Sequence, residues 1–211
     1  MKLTVRDFKS VTHVDGFSFS PLTMLAGVNS SGKTSLVQAL LLLKQTLDGD
    51  SKKPLQLQGP YIYADSLTDL VFKKNSKGAV FFAMEFDAEE ILNRDDFDKY
   101  LAFNGDPLSG IVLAVSFTAN GEPHVKGLEC ELLYGNSGRE TFQVVRRNDL
   151  YDISFSSTTL FGGYFGLATR RKNMKGCMLE FTNFIPLYGN SPSICNAHNR
   201  HVLRRCGLLC L

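Results

Sequence analysis

The sequence predicts an α/β fold in which a strand-loop-helix unit is joined to an antiparallel β-sheet, and three observations predict it. A glycine-spaced segment, Gly27-x-x-x-x-Gly32-Lys33-Thr34, stands between an apolar run and a Leu-rich run. The Leu-rich run, Ser35 to Leu47, carries apolar residues around nearly its whole circumference at helical spacing. From Tyr61 onward the apolar period falls to two, the period of a strand.

Each element follows from its own residues. Leu3, Val5 and Phe8 alternate in a short N-terminal strand, and Asp15-Gly16 reads as the turn into a second strand, Phe17 to Ser20. Pro21 to Ala26 is apolar enough for a strand buried on both faces, and it leads directly into the glycine-spaced loop. The helix from Ser35 to Leu47 is expected to pack inside, and Asp48-Gly49-Asp50 ends it. After a polar linker, Asp48 to Pro54, strands are expected at Tyr61-Ile62-Tyr63, Ala79 to Phe86, Ile111 to Phe117, Leu128 to Tyr134, Thr141 to Arg146, Tyr151 to Phe155 and Cys177 to Phe181. Ala88 to Leu101 is the second expected helix. The segment from Pro192 to Leu211, with three cysteines and two histidines, is unlike the rest and is expected to be a poorly packed tail.

Composition bounds the function. The 211 residues are 44% apolar and 21% charged, as in a globular chain, and unlike a disordered or fibrous one. Lys and Arg (23) against Asp and Glu (21) leave a net charge of +2, too small to imply nucleic acid or membrane through bulk charge. The five cysteines lack the even, close spacing of a disulfide framework and suit a reducing cytosol. Charged residues in Met1 to Asp7 do not suit an export signal, and no apolar run approaches a membrane span. A cytoplasmic protein with no membrane partner is expected.

Gly27-x-x-x-x-Gly32-Lys33-Thr34 is a complete P-loop pattern, met by chance in about 1 chain in 100 of this size or fewer. The glycines permit backbone angles that turn successive N–H groups inward around phosphate oxygens, and the positive end of the following helix adds to the attraction. Lys33 is expected to place its ammonium between the β- and γ-phosphates, Thr34 to offer its hydroxyl to Mg²⁺, and Ser35 to reach the α-phosphate. Gly27, Asn29, Ser30, Ser31, Gly32, Lys33, Thr34 and Ser35 are thus the candidate nucleotide-binding residues, with Thr34 the metal ligand. The bland alternative is a flexible Gly/Ser turn between strand and helix.

Two stretches together resemble a family. Leu3-Thr4-Val5-Arg6-Asp7-Phe8-Lys9-Ser10 and Gly27 to Gln45 are similar to the N-terminal lobe of ABC-type ATPases of the SMC/RecF-like branch, in which a Phe-Lys/Arg-Ser turn precedes Gly-x-Asn-x-x-Gly-Lys-Ser/Thr-Ser/Thr. More narrowly, Leu-Lys-Gln at the end of the helix, Gly59-Pro60-Tyr61 and Asp69-Leu70-Val71-Phe72 look like bacterial AAA-annotated ATPases of phage-defence operons, over about residues 1 to 90. The resemblance implies a P-loop NTPase core with an attached antiparallel β-sheet, divided as a P-loop unit (1–50) and a β-rich subdomain (55–190) before the tail (191–211). It implies ATP and Mg²⁺ as cofactors. It further implies a homodimer or partner protein that completes the ATPase, with a nuclease effector and DNA as further partners.

The family's second lobe is not visible. A signature helix, a Walker B strand and a switch histidine cannot be placed, and the nearest look-alike, Val80 to Glu90, interrupts its apolar run with Glu85 and reads as an ordinary strand. An incomplete chain that binds ATP and hydrolyses it poorly by itself is therefore expected, because hydrolysis also needs a positioned water and a metal-supporting carboxylate. A non-catalytic, nucleotide-stabilised regulatory or interaction module is the alternative.

Weaker signals have bland readings. Cys195, His198, His201, Cys206 and Cys210 match no standard zinc spacing. The acidic residues from Glu85 to Asp98 read as a solvated helix face, and Arg146-Arg147, Arg170-Arg171-Lys172 and Arg204-Arg205 as soluble surface rather than a DNA footprint. His13 and His124 suggest no hydrolase triad. A GTPase or small-molecule kinase is disfavoured by the lack of a guanine-reading Asn-Lys-x-Asp and of an evident lid.

Overall fold

The first strands form where apolar residues alternate. Lys2–Phe8 (β1) buries Leu3, Val5 and Phe8, and Val11–Ser18 (β2) returns antiparallel to it. The computed structural model describes residues 1–29, 31–49, 53–88, 102–103, 106–119, 122–135, 138–156, 173–182 and 185–188. The hairpin turns at Lys9-Ser10, with Lys9 at φ 50°, and not at Asp15-Gly16 as the sequence suggested. Leu3 faces Phe17 and Val5 faces Val14, so Asp15 and Gly16 together stand against Thr4. Gly16 at φ 57° donates its N–H to the Thr4 hydroxyl (2.9 Å), so the Asp-Gly pair forms a bulge within β2.

Lys33–Asp48 (α1) is the single α-helix assigned in full among the described residues. Beyond it come a 3₁₀ turn at Leu67–Leu70, a second at Phe72–Lys74, and the strands Ala79–Asp87 (β3), Ala102–Phe103 (β4), Asp106–Thr118 (β5), His124–Tyr134 (β6), Gly138–Arg147 (β7), Leu150–Phe155 (β8), Asn173–Cys177 (β9), Leu179–Thr182 (β10) and Ile185–Tyr188 (β11). Tyr61 to Tyr63 contributes an isolated bridge, Gln58 to Tyr63, and no strand. The expected strand Cys177 to Phe181 is interrupted at Met178, between β9 and β10. Residues 89–101, most of the second expected helix, and the 191–211 tail lie outside the described residues.

The chain divides into two compact units that interleave in sequence. One comprises Met1–Met84, Ala114–Lys126 and Phe181–Ile185, and the other Glu85–Leu113, Gly127–Glu180 and Pro186–Leu211. In the first, β2, β1, β3 as far as Met84 and β5 from Ala114 are neighbours in that order, and α1 buries Leu36, Ala39, Leu42, Leu43 and Leu47. Phe82 lies between two other core rings, 5.6 Å from Phe8 and 6.3 Å from Phe117, centroid to centroid. In the second unit β6, β7, β8 and β9 pair antiparallel in succession, with Phe142, Val144, Ile153 and Phe155 buried. Its β7–β8 hairpin closes through Asn148-Asp149, with Asn148 at φ 56°.

This architecture corrects the fold class. The expected α/β P-loop core requires a parallel sheet, but 54% of the described residues are strand, 17% are helical, and the sheet is mostly antiparallel. Parallel neighbours need crossover connections of about a dozen residues or more, usually helical, whereas β1–β2 and β7–β8 are joined by two residues each. Pro21 to Ala26, expected as a strand buried on both faces, belongs to no sheet, and Leu22 and Met24 are 87% and 88% exposed. The helix is also less enclosed than expected, since Val37 is 40% exposed.

Two outcomes follow from this packing. Phe82→Ala removes a fully buried ring between two others and should cost about 3–5 kcal/mol of stability, read by urea denaturation. In the second unit, burial first, then the charges of Glu140 and Cys130, push the Tyr134 phenol well above its ordinary range. The folded form then holds a proton that the unfolded form releases near pH 10, so stability should fall as pH rises through about 10 and beyond. Tyr134→Phe should flatten that slope in denaturation series between about pH 9 and 11.

Candidate functional site

The site lies within the first unit and begins with the glycine that starts the helix. Gly32 sits at φ 89°, ψ 0°, a left-handed conformation that a side chain disfavours, and Leu36 N–H donates to its carbonyl (2.9 Å) as the first helical bond. Gly32 lacks a side-chain cap, and the first turn of α1 holds no acidic residue. The N–H groups of Lys33, Thr34 and Ser35 therefore lack intrahelical acceptors, and the positive end of a 16-residue helix is not neutralised locally. Such an end attracts anions.

The loop before it closes on Lys33. Its ammonium donates to the carbonyls of Gly27 (2.8 Å) and Val28 (2.6 Å) and to the Ser31 hydroxyl (3.2 Å). Ser31 N–H also bonds the Val28 carbonyl (3.4 Å). A Cβ on Gly27 would come within 3.2 Å of Ser31 Oγ, so the glycine lets the loop close this tightly. Phosphate binding must exchange some of the Lys33 bonds, which lowers net affinity, because the lysine already has good acceptors.

Gly27, Ser31, Gly32, Lys33, Thr34 and Ser35 are thus brought onto one loop and helix start, with Asn29 exposed beside them; Ser30 lies outside the described residues. Thr34 is exposed. An accessible oxygen donor fits a Mg²⁺ ion, which takes few protein ligands and keeps waters and phosphate oxygens around it. Ser35 is buried, and its Oγ lies 2.7 Å from Ser10 Oγ in the β1–β2 turn.

Four further residues to which the sequence pattern gave no role hold α1, three of them at this site and Gln45 near the other end of the helix. Ser10 meets Ser35, and the Lys9 ammonium donates to Gln38 Oε1 (2.8 Å) one turn further along α1. Burial lowers the Lys9 pKa. Gln45, 2% exposed, accepts from the N–H groups of Tyr61 (3.1 Å) and Ile62 (2.9 Å) and donates to the carbonyls of Gln56 (2.7 Å) and Ile62 (3.1 Å). The Phe-Lys-Ser and Leu-Lys-Gln residues that carried the resemblance were the available signal.

Other candidates separate from this site. Val80 to Phe86 lies in β3, with alternating burial, as an ordinary sheet strand. Arg146, largely buried, pairs with the exposed Asp149 (3.2 Å), and the exposed Arg147 pairs with Asp152 (3.6 Å). His13 contacts the exposed Asp15 (2.6 Å), which Arg6 also meets (3.1 Å). Among the described residues no three His, Cys, Asp or Glu side chains group to hold a metal, and no helix is long and apolar enough to cross a membrane. Cys195 to Cys210, Arg170 to Lys172 and Arg204-Arg205 lie outside the described residues.

No family model, curated protein or solved structure matches the chain.

Gly32→Ala should test the loop geometry directly. It forces a side chain into left-handed backbone and brings a Cβ within 3.3 Å of Val11 Cγ2. The expected loss of stability is about 1–2 kcal/mol, read as a lowered thermal midpoint.

Proposed function

We propose that this protein binds ATP with Mg²⁺ at residues 27–35 and, by itself, turns it over slowly or not at all. The observation that carries the reading is the uncapped, acid-free start of α1 with the Lys33 ammonium held against the loop oxygens beside it. Uncapped N–H groups, a helix dipole and an adjacent cation are what a polyphosphate requires. Gly27, Asn29, Ser30, Ser31 and Gly32 supply the loop, Lys33 the cation for the β- and γ-phosphates, Thr34 the metal-facing hydroxyl, and Ser35 the contact to the α-phosphate. The lack of a guanine-reading motif and the resemblance to SMC/RecF-like ATPases favour ATP over GTP.

Hydrolysis on this reading is completed by a second copy or another protein, which brings the water-positioning and metal-supporting groups. Regulation of a nuclease, and through it of DNA, is the extension that the resemblance suggests. Alternating burial along Val80 to Phe86 favours a second reading, a regulatory or interaction module stabilised by nucleotide without turnover. Phosphate release separates the two: turnover that appears on adding a partner supports the first, and thermal stabilisation by ATP without turnover supports the second.

Lys33→Ala should weaken binding of a fluorescent ATP analogue by about 10- to 100-fold, the worth of hydrogen bonds to a charged group. Because Lys33 also bonds its own loop, Thr34→Ala is the cleaner companion. It should remove the gain in affinity on adding Mg²⁺ while the circular dichroism spectrum stays unchanged. Undiminished binding by both variants would reject the site.

A further inference from the structure

The β1–β2 turn is fixed from several sides. Phe8 is buried against Phe82 and bridges Val71, and Lys9 N–H donates to the Leu70 carbonyl (2.7 Å). The Lys9 ammonium reaches Gln38, and Val11 lies against Gly32. Ser35 and Gln38, three residues apart, share one side of α1, so the turn grips the first two turns of the helix at Ser35, Gln38 and Gly32. Ser10 is thus a hydroxyl on a rigid mount, 2.7 Å from the Ser35 hydroxyl.

A serine hydroxyl carries one proton and can also accept. If the Ser35 proton goes to Ser10, none is left for a phosphate. If Ser10 donates instead, Ser35 Oγ is held as acceptor and its own proton is directed elsewhere. We infer that Ser10 is a positioning residue of the nucleotide site, donating to Ser35 Oγ so that the Ser35 hydroxyl donates to the α-phosphate. Without Ser10, the Ser35 hydroxyl can turn back to the carbonyl of Gly32 three residues earlier, a usual local alternative for a helical serine. The inference rests on the ATP-binding reading, and it adds the β1–β2 turn to the machinery that reads the nucleotide.

A double-mutant cycle tests it. Affinity for a fluorescent ATP analogue with Mg²⁺ is measured on the full chain as wild type, Ser10→Ala, Ser35→Ala, Ser10→Ala/Ser35→Ala and Ser10→Thr, with nucleotide-free thermal midpoints alongside. Ser10→Ala should weaken binding by about three- to tenfold, the span of one neutral hydrogen bond, with its midpoint close to wild type. The double variant should be no weaker than Ser35→Ala alone, since Ser10 acts through Ser35. Ser10→Thr, which keeps the hydroxyl, should restore binding. Unchanged or tighter binding by Ser10→Ala, a double-variant loss that multiplies the single losses, or failure of Ser10→Thr to rescue would overturn the role of Ser10 while leaving the ATP site intact. Wild type that binds no nucleotide would instead overturn the parent reading and this inference with it.

Discussion

The close approach of the β1–β2 turn to the start of α1 is the constraint on which the candidate site depends. It exists because Gly32 has no side chain, which lets Val11 come within ordinary packing distance and lets the backbone take a left-handed bend at the point where the helix begins. Around that contact Ser10 and Lys9 bind two side chains of one helical face, and Phe8 ties the same turn into the core beside Phe82. The N-terminal end of α1 is therefore held in place by a hairpin and does not need a sheet strand entering the loop. That matters here, because the segment preceding the loop pairs with no strand.

The other half of the helix is held by a different device. Gln45 is buried with both ends of its amide satisfied by the backbone of residues 56–62, which a buried polar group requires if it is not to be costly. A side chain at Gly59 would overlap it. Thr46 works beside it, donating to the Leu42 carbonyl (2.8 Å) and accepting from Gln56 N–H (3.1 Å). Apolar burial of Leu36, Ala39, Leu42, Leu43 and Leu47 sets the face of α1, and these polar contacts set its rotation and register.

Much of the strand inventory was legible in the sequence, for a local reason. Ile111 to Phe117, Leu128 to Tyr134, Thr141 to Arg146 and Tyr151 to Phe155 alternate with period two, and each falls inside an observed strand. Misreadings arose where one local signal has two tertiary outcomes. Asp15-Gly16 suits a hairpin turn and a bulge equally, because both need a left-handed glycine, and the pairing of Leu3 with Phe17 selects the bulge. Pro21 to Ala26 is apolar enough for an inner strand, but an inner strand requires neighbours on both sides, and no local pattern reports whether they exist. Tyr61 to Tyr63 alternates like a strand, yet its backbone is claimed by Gln45 of the helix.

Gly27, Gly32, Lys33, Thr34 and Ser35 were determined as a candidate site by sequence alone, because a phosphate loop is built from contiguous residues whose spacing is itself the geometry. Three matters were decided only in three dimensions: that Lys33 spends its protons on its own loop, that Ser10 meets Ser35 across 25 positions, and that the sheet is mostly antiparallel. Each depends on which distant segments reach the loop or pair with a strand. Chain connectivity and packing choose those partners, and the residue pattern of the loop does not encode them.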